Sequence, residues 1–93
     1  MATTAAALEP ENPRILDTLG YALLKSGKHQ EAVRVLVKAE SLKPGDPTIN
    51  YHLALAHKAT GEKRQAILRL NKALDNREFA YARQARNLLS ELN

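Results

Sequence analysis

Side chains able to do chemistry are few in this chain and are not grouped for it. His52 and His57 stand five positions apart, off a common helix face, because neighbours on a helix surface recur at three and four. No His-Glu-x-x-His signature accompanies them, so the helical zinc arrangement with its glutamate base is missing. Neither a glycine-rich phosphate loop nor a nucleophile elbow occurs. The chain has no cysteine, which removes thiol nucleophiles, disulfides and zinc–thiolate sites. The expectation is a non-enzyme with no catalytic residue, no cofactor and no metal site. His57 falls at a core-facing position and reads as a buried histidine with its hydrogen bonds met. Tyr21 and Tyr51 are better candidates for function, being large, fairly rigid and amphipathic, as interface anchors tend to be.

Charge adds a weaker signal. Lysine and arginine total 14 against 10 acidic residues, a net charge of +4, and a basic balance can attract nucleic acid, anionic membranes or acidic partners. The cations are scattered, and the nearest cluster (Lys58, Lys63, Arg64, Arg69, Lys72) is interrupted by Glu62. Scattered charge of this kind reads as a solvated helical surface, with single-stranded nucleic acid bound through cations and tyrosines as an alternative. No apolar run reaches the length of a transmembrane helix. The first residues, Met1 to Leu8, lack the basic and long apolar regions of a signal peptide.

The elements that must carry these side chains are written twice, 34 residues apart. Leu19 pairs with Leu53, Ala22 with Ala56, Gly27 with Gly61, Ala32 with Ala66, Leu36 with Leu70 and Ala39 with Ala73. A period of this length marks a stacked array of supersecondary units. Asn12-Pro13 and Asp46-Pro47 each place a capping side chain before a proline at the first helical position. Leu16, Leu19, Ala22 and Leu23 then recur at helical spacing, and Gly27 and Gly61 are placed to end the first helices in a left-handed conformation. Second helices are expected over His29–Leu42 and Lys63–Asp75. The alanines seven apart on these second helices let two axes approach, with Leu36 and Leu70 filling the space between. Phe79, Ala82, Ala85, Leu88, Leu89 and Leu92 form one further helical face, expected to cap the array.

These residues spell a pattern that resembles the tetratricopeptide repeat: Leu19-Gly20, Ala32, Leu36, Ala39 and Pro44 in one unit, and Leu53-Ala54, Ala66, Leu70 and Ala73 in the next. Leu16 and Asn50 depart from it where the family favours tryptophan, Leu23 and His57 where it favours tyrosine, and Glu78 where it favours proline. The resemblance implies an all-α, right-handed α-solenoid of antiparallel helix pairs. Its parts would be a remnant of a preceding helix and linker over 1–12, units over 13–46 and 47–77, and a capping helix over 78–93. It also implies that partners bind a concave groove lined by the first helix of each pair. By position, that lining is Arg14, Asp17, Thr18, Tyr21, Leu24 and Lys25, then Thr48, Tyr51, His52, Leu55 and Lys58, with Arg86 and Leu89 from the last helix. The clamp with which some family members hold a peptide's terminal carboxylate is not matched, since Asp17, Tyr21 and His52 occupy its places and only Arg86 is in keeping.

A narrower likeness runs from Asn12 to Ile67 and again from Phe79 to Leu92. It is similar to the C-terminal repeats of bacterial tetratricopeptide proteins that accompany PEP-CTERM/exosortase and exopolysaccharide systems. It implies a protein-binding scaffold in envelope or protein-sorting assembly, as the C-terminal part of a larger bacterial protein. The compartment implied is the envelope or periplasm, with the cytoplasm as the alternative. A purely structural cap of a longer solenoid, and self-association through an exposed array end, are the competing roles.

Overall fold

Both proline-led start signals open helices in the computed structural model, which describes residues 12–76 and 78–93. Five helices follow one another among the described residues: α1 Pro13–Lys25, α2 His29–Leu42, α3 Pro47–Ala59, α4 Lys63–Leu74 and α5 Ala82–Leu92. The stub expected over residues 1–12 lies outside the described residues except for Asn12, as does Arg77. Asn12 and Asp46 hold extended backbone and act as caps. The Asn12 side-chain oxygen accepts from the Arg14 and Ile15 amides at 3.0 and 3.3 Å, and Asp46 Oδ2 accepts from the Ile49 amide at 3.0 Å. Each bond satisfies an amide that the first helical turn leaves without a partner.

The first helix of each pair also stops in the same way. Gly27 and Gly61 take φ of 84° and 81°, the left-handed region where a side chain is strained. The Lys28 amide then donates to the Leu23 carbonyl at 2.9 Å and the Gly27 amide to Leu24 at 3.1 Å. Glu62 to His57 (2.8 Å) and Gly61 to Lys58 (3.1 Å) repeat the motif. The turn reverses the chain, so α2 returns along α1 and α4 along α3. The result is an α-solenoid of antiparallel helix pairs.

Packing follows the small residues. Ala32, Leu36, Ala39, Ala66, Leu70 and Ala73 are all fully buried. A Cβ added to Gly20 would collide with Cγ and Cδ2 of Leu36, so the absence of a side chain at Gly20 is what lets α1 and α2 close up. Between the pairs, Leu53 and Ala56 of α3 join Leu19, Leu23, Ala32 and Leu36 in one core cluster, while Ile49 joins Leu16 and Ala39 in another. A third cluster, Ala54, Ala66, Leu70, Ala85 and Leu88, holds α5 against α3 and α4.

Two details differ from the sequence expectation. Ala22 is exposed whereas its counterpart Ala56 is fully buried, because Ala56 faces the preceding helix pair and no pair precedes α1 among the described residues. The last helix begins at Ala82, so Phe79 reaches the core from the turn before it rather than from the helix. The position of Asn50 is polar yet fully buried. Its amide donates to the Asp46 carbonyl at 3.0 Å and its oxygen accepts from Arg69 Nη1 at 3.3 Å, with Glu40 3.8 Å beyond. Burial of such groups is tolerated when their hydrogen bonds are made. These bonds link α2, α3 and α4 at the junction of the two units.

Candidate partner-binding groove

Helices α1 and α3 run side by side in the same direction, each backed by its own second helix. Two hollows lie in the furrow between them. One, of 430 Å³ at the N-terminal ends, is lined by Arg14, Asp17, Thr18, Lys43, Asp46, Thr48 and Ile49. The other, of 390 Å³ at the C-terminal ends, is lined by Tyr21, Leu24, Lys25, Leu55, Lys58 and Ala59. The spacing explains this directly. Positions 14, 17, 18, 21, 24 and 25 recur every three or four residues and so share one face of α1.

A buried histidine links the linings of the two hollows. His52 is only 7% exposed, and its Nδ1 lies 2.8 Å from Asp17 Oδ1. An ionised carboxylate can only accept, so Nδ1 carries the proton, and in the neutral ring Nε2 is left as an acceptor. The Tyr21 ring stacks on the imidazole with centroids 4.6 Å apart and planes 28° apart. Such offset stacking contributes about 0.5–1.5 kcal/mol beyond area burial. Above the Tyr21 ring stands the Lys25 ammonium, 5.7 Å from its centroid, within cation–π range. Asp17, His52, Tyr21 and Lys25 therefore form one connected series along the furrow.

The aromatic surface continues toward α5. Tyr51 stacks on Tyr81 with centroids 5.2 Å apart and planes 11° apart, and meets Phe79 edge-on at 6.5 Å. Tyr81 also lies 5.7 Å from His52. Burial, followed by the neighbouring phenols of Tyr21 and Tyr81, pushes the Tyr51 hydroxyl above the ordinary tyrosine range, since burial disfavours the charged phenolate.

The structure brings Arg14, Asp17, Thr18 and Thr48 to the first hollow and Tyr21, Leu24, Lys25, Leu55 and Lys58 to the second. Tyr51 and His52 line neither hollow; His52 contacts the lining residues Asp17 and Tyr21, and Tyr51 stacks on Tyr81. The Thr18 hydroxyl is spent on the Arg14 carbonyl at 3.0 Å. Lys58 lies 3.8 Å from Glu91 of α5, a loose, exposed pair of little energetic weight. Arg86 is exposed on α5 and lines neither hollow. Leu89 is half-buried and packs against the third core cluster. Sequence reasoning missed Tyr81 and Phe79 as parts of the aromatic surface; the signal available was two aromatic residues two apart just ahead of the last helix.

Comparison with known families gives one result. Residues 20–61 match a family model described as TPR repeat. The match runs from Gly20 of α1 through α2 and α3 to the Gly61 turn, and supports the tetratricopeptide-repeat family. TPR repeats generally mediate protein–protein interaction and are not catalytic. No curated protein matches the chain. Among the described residues no group of three histidine or acidic side chains could hold a metal ion. No described helix is long and apolar enough to cross a membrane.

Proposed function

We propose that this chain is a non-catalytic interaction scaffold that holds a peptide or helix of a protein partner in the furrow between α1 and α3. One observation carries this: Tyr21 remains 38% exposed while its ring is seated on a histidine that Asp17 holds in place. A pre-positioned aromatic ring at the edge of an open hollow gives contact area at small entropic cost. The wider setting is a larger bacterial repeat protein serving envelope, exopolysaccharide or protein-sorting assembly, located in the envelope or periplasm. Its support is the likeness of the Asn12–Ile67 and Phe79–Leu92 runs to the repeats of such proteins. A structural role is the second reading, favoured by α5, which lays Ala82, Ala85 and Leu88 into buried positions on the second unit.

The test is capture of a partner from bacterial envelope extract by the immobilised chain and by its Tyr21→Ala variant, with helix content checked by circular dichroism. Loss of an anchor residue costs about 2 kcal/mol or more, roughly thirtyfold in affinity. Weakening of that order with the fold intact is the expected result. Full retention of the partner by the variant would remove the furrow from the binding surface.

A further inference from the structure

The charges of the second hollow suit one kind of occupant. We infer that it takes an extended acidic segment of a protein partner, in which a bulky apolar side chain stands two residues from an aspartate or glutamate. The inference rests on the furrow being the partner site. Leu24, Leu55 and Ala59 provide an apolar seat beside the exposed Tyr21 ring, and Lys25 and Lys58 stand on the two opposite helices. In an extended peptide, side chains two apart point the same way, about 7 Å from each other. One can therefore enter the seat while the next reaches the ammonium groups.

The furrow's own acids do not meet this need. Asp17 is bound to His52 at 2.8 Å and Asp46 lies 3.4 Å from Lys43 while it caps α3. Lys58 has only the 3.8 Å approach of Glu91, and Lys25 has no carboxylate within 4.0 Å among the described residues. A partner carboxylate would supply the missing charge. The carboxylate is that of a side chain, which an extended segment carries two residues from the apolar group.

The probes are blocked peptides Glu-Ala-Phe-Ala-Glu, Gln-Ala-Phe-Ala-Gln and Lys-Ala-Phe-Ala-Lys, titrated at low salt into the full chain labelled with nitrogen-15. The acidic peptide is expected to shift the Tyr21 and Leu55 amide signals and to bind roughly three- to tenfold more tightly than the glutamine peptide, the range of partly exposed ion pairs. The lysine peptide is expected to bind weakest. Joint Lys25→Gln and Lys58→Gln replacement, both at exposed positions, is expected to abolish the difference between acidic and neutral peptides. Equal or tighter binding of the glutamine or lysine peptide at the same amides would overturn the acidic preference and leave the furrow as a peptide site. Absence of any shift at Tyr21 and Leu55 with all three peptides would overturn the inference outright, and the Tyr21→Ala capture experiment would then decide the furrow separately.

Discussion

Both internal histidines of α3 are buried and both meet a carboxylate, but they reach it by different routes. His57 Nδ1 lies 3.0 Å from Glu62 Oε1, five residues on, and the Thr60 hydroxyl donates to the same oxygen at 2.7 Å. The Thr60 bond first, and the His57 bond second, hold the Glu62 carboxyl below its ordinary value of 4.5. A carboxyl lower in the folded than in the unfolded chain favours folding when ionised. That contribution is complete above the unfolded value and is lost as pH falls through the folded one. Thr60→Ala is therefore expected to raise the Glu62 titration toward 4.5, followed by carbon-13 NMR of the side-chain carboxyl, and an unmoved titration would refute the assignment. His57 was legible in the sequence as a core residue because it repeats the position of Leu23. The Asp17–His52 pair was not, since its members stand 35 residues apart and only the stacking of two units brings them together.

At the scale of the element, the starts and stops were written plainly. Capping residues before Pro13 and Pro47, and glycines able to take positive φ at 27 and 61, delimit helices whose ends agree with the sequence reading to within a residue or so. The last helix was less legible. It has no proline-led start and no side-chain cap, and the turn before it spends Phe79 and Tyr81 on packing rather than on helix. Burial within the pairs supports a stability prediction. Leu36 is fully buried against α1 and α3, so Leu36→Ala is expected to cost about 2–5 kcal/mol. Leu68, 54% exposed on α4, is the contrast: Leu68→Ala is expected to stay within about 0.5 kcal/mol. Urea unfolding of the two variants separates them, and similar midpoints would contradict the packing described.

Across the whole molecule, the repeat produces a surface instead of an enclosed site. Equivalent positions on α1 and α3 line one furrow, and the second helices back it. The sequence disclosed this framework because burial imposes the same residues at the same offsets in both units. It did not disclose the finer furrow, whose lining residues are free of that constraint and differ between units: Tyr21 stands where Leu55 does, and Thr18 where His52 does. The central claim is that the furrow, and not the convex side, meets the partner. Its most direct test is amide-shift mapping of the nitrogen-15 labelled chain with the captured partner added. The account predicts the largest changes at Tyr21, Lys25, His52 and Leu55. Changes confined to Val37, Leu68 and their neighbours on the second helices would contradict it.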